Sequence, residues 1–141
     1  MHPKRVRLVL ASTHFRQDGF HSEFIAGDQT SARMPTQQEF QSWQESYQRI
    51  APNPDHFGSV AEKLSVIVNS FSDWTPDRLR AITAPTLIVL GDNDFVRIEH
   101  AVELHELLPD ARLAVLPGTR HTEVMHRPEL RSMVAEFLPV Q

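Results

Sequence analysis

Two apolar runs joined by a helix-like segment place the strongest constraint on the fold. Residues 86–91 read Thr-Leu-Ile-Val-Leu-Gly without polar alternation, which is typical of a parallel strand covered on both faces. Residues 111–116 form a second run, in which Arg112 favours a place nearer a sheet edge. Between them, one helical face is apolar (Ile98, Ala101, Val102, Leu104, Leu108) and the other acidic (Glu99, Glu103, Glu106). This order predicts a βαβ unit with a right-handed crossover.

Both ends of the chain extend this pattern. Residues 5–11 form a further apolar run that predicts a strand. After Pro128, which suits a first helical turn, apolar residues recur three and four apart at Leu130, Met133, Val134, Phe137 and Leu138. We therefore predict an α/β fold with about three parallel strands and crossover helices.

The segment from residue 15 to residue 83 has a helical texture without any strand-like run. Thr36 and Glu39 form a capping-box pattern that predicts a helix start, and Ser59 and Glu62 predict another. Each predicted helix has one apolar face, which carries Phe40, Trp43, Tyr47 and Ile50 in the first and Leu64, Ile67, Val68 and Phe71 in the second. These faces could line a pocket or simply form core.

Composition excludes several classes of protein and site. A net charge of -4 with scattered lysine and arginine gives no basic face for a phosphate backbone, so we expect no nucleic-acid partner. No apolar stretch approaches membrane-spanning length, and we expect a cytoplasmic chain without a membrane partner. The sequence has no cysteine, which excludes disulfides, thiolate zinc sites and a cysteine nucleophile.

Chemically capable side chains follow the two central strands. Asp94 ends the turn Gly-Asp-Asn-Asp after the first, and His121 ends Gly-Thr-Arg-His after the second. Because carboxyl ends of parallel strands meet at one edge of a sheet, both residues lie where ligand sites are expected. A carboxylate bonded to one imidazole nitrogen leaves the other free to accept a proton. Asp92 is the alternative acid, although aspartate there more often shapes the turn.

These two turns resemble the Gly-x-x-Asp and Gly-x-x-His turns in the C-terminal half of the α/β-hydrolase fold. The resemblance implies a partial α/β-hydrolase fold in three parts: residues 1–14 as the first core strand, 15–83 as a helical cap, and 84–141 as the C-terminal core. It also implies that Asp94 orients His121 as general base in a serine-type hydrolase. The expected substrate is a small ester, lactone or related acyl compound.

The chain departs from the family at the nucleophile. None of its five glycines forms the Gly-x-Ser-x-Gly elbow with a serine. One interpretation is that a truncated or separate N-terminal segment supplies the nucleophile, whether serine or, as in some relatives, aspartate. The other is a catalytically silent remnant that serves as a binding or assembly module. In both, residues 5–11 lack their expected neighbouring strand, which predicts self-association through that edge or pairing with the missing segment.

The eight histidines do not indicate a metal site. His100 and His105, like His121 and His126, are five apart, whereas a zinc pair on a helix needs three or four. The remaining histidines, His2, His14, His21 and His56, are expected in solvent, although His14 and Phe15 follow the first strand and could reach a pocket wall. No glycine-rich phosphate loop is present, so we predict no cofactor.

Overall fold

A three-stranded parallel sheet forms the centre of the computed structural model, which describes residues 6–138. The strands are β1 (Leu8–Ala11), β2 (Thr86–Asn93) and β3 (Ala111–Arg120), in the order β1-β2-β3. Leu8 aligns with Thr86, and Thr86 with Ala111. The predicted α/β class is confirmed, with β3 at one edge of the described sheet. The predicted first strand began at residue 5, which lies outside the described residues.

Within the described part of the chain, six α-helices connect and flank these strands. They are α1 (Ser22–Ile25), α2 (Gln37–Ile50), α3 (Phe57–Asn69), α4 (Pro76–Arg80), α5 (Ile98–Leu107) and α6 (Pro128–Phe137). Short 3₁₀ helices lie at Gln17–Gly19, Pro54–His56 and His121–His126. Within residues 6–138, no helix combines the length and apolar character needed to cross a membrane.

Strand β2 is buried on both faces, as its apolar run predicts. Ile88 and Leu90 pack with Leu104 of α5 in one core cluster. Leu87 and Val89 point to the other face, where they pack with residues of α6 such as Leu130 and Phe137. Successive strand residues face opposite sides of a sheet, so one strand supplies both cores. Phe15 and Leu79, from the segment between β1 and β2, belong to the first cluster.

Strands β2 and β3 extend past their predicted ends and approach closely there. Gly118 adopts a φ of 58°, a conformation that glycine reaches readily, and the pairing register shifts between Gly91 and Asn93. After this irregularity, Asn93 pairs with Arg120. The residues that follow, Asp94 and His121, are thereby brought together.

One predicted helix start is confirmed and the other is wrong. At α2, the Thr36 hydroxyl accepts from the Glu39 N–H at 3.2 Å, and the Thr36 N–H donates to the Glu39 carboxylate at 2.7 Å. Helix α3 instead begins at Phe57, so Ser59 lies inside its first turn. The 3₁₀ turn Pro54–His56 leads directly into α3, and no separate cap forms at Ser59.

The apolar faces of α2 and α3 are not core. Neither helix contains a buried residue, and Trp43 and Ile67 remain 42% and 61% exposed. Part of each face lines an open cavity of about 800 Å³ together with the segment that precedes α2. Its apolar lining includes Phe24, Ile25, Met34, Phe40, Trp43, Leu64 and Val68. The part of each face that borders the cavity is therefore a pocket wall and not core.

Candidate active site

Asp94 lies buried immediately beyond β2, with a fully inaccessible side chain. Its Oδ1 accepts a hydrogen bond from the backbone N–H of Val96 at 3.0 Å. Its Oδ2 accepts from the hydroxyl of Ser12 at 2.5 Å. These bonds compensate for removing a carboxylate from water and fix the plane in which it lies.

His121 is the first residue beyond β3 and lies against this carboxylate. Its Nδ1 is 2.9 Å from Oδ1 of Asp94, and its side chain is 31% exposed. Because an ionised carboxylate only accepts hydrogen bonds, the contact places a proton on Nδ1 and leaves Nε2 of the neutral ring as an acceptor. The structure thus brings together the two residues that the sequence singled out.

Competing effects set the pKa of Asp94. Burial raises the pKa, but hydrogen bonds from His121, Ser12 and the Val96 N–H, together with the attraction of the imidazole, outweigh burial and lower it below its ordinary value. The carboxylate is therefore ionised at neutral pH and suited to stabilising a positive imidazole.

Asp92, the alternative acid, has a different position. Its Oδ1 accepts from the backbone N–H of Thr119 at 3.0 Å, which ties the turn after β2 to the end of β3. Backbone hydrogen bonds from Gly118 and Thr119 lower the pKa of Asp92. Asp92 shapes the turn, whereas Asp94 contacts the imidazole.

Ser12 was missed by sequence reasoning. It follows β1 directly and has a φ of 51°, in the left-handed region that serine rarely adopts. This backbone turn directs its hydroxyl at Asp94, 82 positions away in sequence. A single serine after an apolar run carries no sequence signal for either property.

An aromatic stack links His121 to the helical segment. The ring of Phe95 stacks on His121 with centroids 3.6 Å apart, and Phe24 stacks on Phe95 at 4.4 Å. Phe24 also lines the cavity between α2 and α3. The cavity itself is not lined by Asp94 or His121, so these aromatic rings form the connection between them.

Two other histidines are packed into the protein rather than solvated. His14 was expected in solvent, but its ring packs 4.2 Å from Phe20 and 4.8 Å from Phe71, and burial lowers its pKa. His100 is fully buried and accepts from the Phe15 N–H at 3.1 Å. Among residues 6–138, no three histidine or acidic side chains gather as a metal site would require.

Comparisons with known proteins agree with this architecture. No family model matches the chain. A curated 2-hydroxy-6-oxononadienedioate/2-hydroxy-6-oxononatrienedioate hydrolase from Dechloromonas aromatica is 30% identical over 86 residues, which are 60% of this chain and 29% of that relative. A mutant meta-cleavage product hydrolase from Pseudomonas fluorescens matches with a TM-score of 0.56 and 17% identity, over 93% of this chain and 54% of its own. An N-acyl homoserine lactone degrading enzyme matches with a TM-score of 0.52 and 23% identity, over 97% and 60%.

The structure thus has a three-stranded parallel sheet flanked by helices, with an aspartate–histidine pair at the carboxyl ends of its strands. The two structural matches show that this architecture is part of the α/β-hydrolase fold. The chain spans a little over half the length of both matched enzymes.

Proposed function

We propose that this chain carries the acid and base of a serine-type hydrolase that acts on a small ester, lactone or related acyl substrate. The observation that carries the proposal is the 2.9 Å contact between Asp94 and His121 Nδ1 at the carboxyl edge of the sheet. In this arrangement Nε2 takes the proton of an attacking hydroxyl, Asp94 stabilises the resulting imidazolium, and the proton then passes to the leaving group.

Ser12, the serine beside the pair, is not the nucleophile in this proposal. Ser12 lies beside the pair, but its hydroxyl donates to Asp94 and not to His121. A nucleophile needs its own proton directed at the base, so Ser12 has a supporting role in this geometry. The proposal therefore requires another hydroxyl within reach of Nε2, whether from this chain, a second copy or a further segment.

The substrate class is supported by the apolar cavity and by the comparisons. The cavity between α2 and α3 has the size and apolar lining of small-molecule sites. The curated relative is named as a hydrolase, and one structural match as a lactone-degrading enzyme. These are likenesses of part of each protein, and they support the reaction class more strongly than any particular substrate.

A serine-directed fluorophosphonate tests the proposal. The purified chain is treated with the reagent and its intact mass is measured beside two variants, His121→Ala and His126→Ala. His126 is an exposed histidine five residues later, which controls for general effects of removing an imidazole. If a hydroxyl of this chain or of a second copy completes the site, one adduct forms in the wild type and in His126→Ala and none in His121→Ala, because only His121 activates that hydroxyl.

Two results would argue against a complete serine-hydrolase site within this chain or its dimer. Equal labelling of all three proteins would show that the reactive serine does not depend on His121. Absence of an adduct in protein shown to be folded by circular dichroism would exclude a reactive serine and leave an aspartate nucleophile, a separate segment, or the non-catalytic binding module.

A further inference from the structure

Glu39 contacts both sequence neighbours of His121. Its carboxylate pairs with the guanidinium of Arg120 at 3.2 Å and accepts from the hydroxyl of Thr122 at 2.7 Å. It belongs to the first turn of α2, some 80 positions earlier in sequence. The residues on either side of the imidazole are therefore held by one side chain of the helical segment.

A second contact strengthens this connection. Arg120 Nη2 donates to the backbone carbonyl of Met34 at 2.5 Å, just before α2 begins. The side chains of Arg120 and Glu39 are 23% and 26% exposed, so the pair is shielded more than a typical surface ion pair. Its bonds fix both the distance and the orientation between α2 and the start of the 3₁₀ helix that carries His121.

The turn that carries Asp94 is also held by the segment before α2. Arg33, from the same segment before α2, donates to the backbone carbonyl of Asp94 at 3.1 Å. Segment 33–39 thus contacts both the turn that carries the acid and the turn that carries the imidazole. Within this segment the side chain of Glu39 contacts both neighbours of His121, whereas the Met34 carbonyl contacts Arg120 alone.

We propose that Glu39 is a positioning residue that holds His121 in register with Asp94 through Arg120 and Thr122. Its capping bond to Thr36 explains why glutamate suits the first turn of a helix, but not why the same carboxylate also binds residues 120 and 122. The inference deepens the proposed function, on which its catalytic meaning rests.

The position of Glu39 also gives the cavity a mechanical connection to the imidazole. Thr36, Gln37, Phe40 and Trp43 of the same helical end line the cavity. A ligand that shifts this end of α2 would move Glu39, and with it the backbone on both sides of His121.

The imidazole tautomer of His121 provides a test that does not require catalysis. In the wild type at pH 8, the nitrogen chemical shifts should show a single tautomer with the proton on Nδ1, as Asp94 dictates. We expect Glu39→Ala to bring the two nitrogen shifts towards each other, because a loosened turn samples both tautomers. Glu39→Gln retains a side chain that can form the capping box and should show a smaller change in the same direction.

Two control variants separate positioning from helix stability. Thr36→Ala removes the capping contact but leaves the bonds of Glu39 to Arg120 and Thr122, so it should preserve the wild-type tautomer. Glu45→Ala changes an exposed glutamate of the same helix and should also have no effect. Circular dichroism and unfolding curves establish that each variant is folded.

Each outcome decides the inference. A wild-type tautomer in folded Glu39→Ala would overturn it, as would an equal shift in Thr36→Ala, which would assign the effect to the helix cap. Mixed tautomers in the wild type would overturn both the inference and the Asp94–His121 pair. A shift in Glu39→Ala alone, combined with no fluorophosphonate adduct, would support the positioning role while rejecting hydrolysis by this chain.

Discussion

Ser12 donates its hydroxyl to Oδ2 of Asp94 at 2.5 Å, while His121 lies 2.9 Å from Oδ1 of the same carboxylate. Each carboxylate oxygen therefore has its own side-chain partner. The loop after β1 holds one side of the carboxylate, and the 3₁₀ helix after β3 holds the other. Because β2 lies between β1 and β3, three neighbouring strand ends converge on one buried carboxylate.

Replacing Ser12 by alanine should lower the free energy of unfolding by about 2 kcal/mol, the scale of a hydrogen bond to a charged group. Ser12→Gly loses the same bond but relieves a left-handed backbone conformation, worth roughly 1 kcal/mol, and should be less destabilised. Urea unfolding at pH 7 measures both. Equal stability of wild type and Ser12→Ala would show that the hydroxyl bond contributes nothing.

Gly91 should not tolerate a side chain. A Cβ at this position would lie 1.9 Å from the backbone oxygen of Thr119, so β2 and β3 would have to separate next to the site. We expect Gly91→Ala to cost more than about 3 kcal/mol, as overpacking against backbone does.

Gly58→Ala is the matched control for Gly91→Ala. Gly58 is exposed in α3, and an added Cβ would meet no atom within 4 Å. Since alanine favours a helix over glycine, its unfolding free energy should rise by up to about 1 kcal/mol. Thermal unfolding of both variants checks the pair, and a mild effect at Gly91 would contradict the close strand contact.

Stability should fall as the pH drops from about 6.5 towards 4, in part because of His100. Burial lowers the pKa of this imidazole from 6.5 to about 4, while the unfolded chain keeps the ordinary value. The unfolded state therefore binds more protons in this window, so acidification favours unfolding. The part of this loss that comes from His100 reaches about 3 kcal/mol, at roughly 1.4 kcal/mol for each unit of pKa. This part levels off below pH 4.

The variant His100→Phe isolates this contribution. Phenylalanine keeps a ring beside Phe15, which stacks on His100 with centroids 4.0 Å apart, but it cannot be protonated. We expect its urea-unfolding free energy to depend less on pH between 6.5 and 4 than that of the wild type, although it loses the bond from the Phe15 N–H. Parallel pH profiles would mean that His100 is not a main acid-sensitive group.

The free edge of β1 should drive self-association. Among the described strands β1 pairs only with β2, and the Leu8 N–H donates to the Pro85 carbonyl on that side. The Val9 N–H therefore points to the free edge, where another strand could accept it. We expect light scattering to show a concentration-dependent dimer that Val9→Pro weakens and Val9→Ala, which retains the N–H, preserves. A monomer at all concentrations would refute this prediction.

The sequence by itself determined the local features of the chain. The apolar run of β2 predicts burial on both faces because such a run can be stable only when covered, and the Thr36–Glu39 spacing predicts a helix start because the cap closes within one turn. Asp94 and His121 were recognisable because each follows a strand in a short glycine turn. The Ser59 start failed because an upstream turn began the helix first.

Only the tertiary structure decided how distant residues meet. Ser12 reaches Asp94 across 82 positions and Glu39 reaches Arg120 across 81, and neither pairing leaves a local pattern in the sequence. The same holds for the exposed faces of α2 and α3. An apolar stripe predicts that a helix has a face suited to burial, but not whether another element buries it. Periodicity and capping are short-range properties of the chain, whereas the surroundings of a carboxylate or an imidazole depend on which strand ends and loops the fold brings to one edge of the sheet.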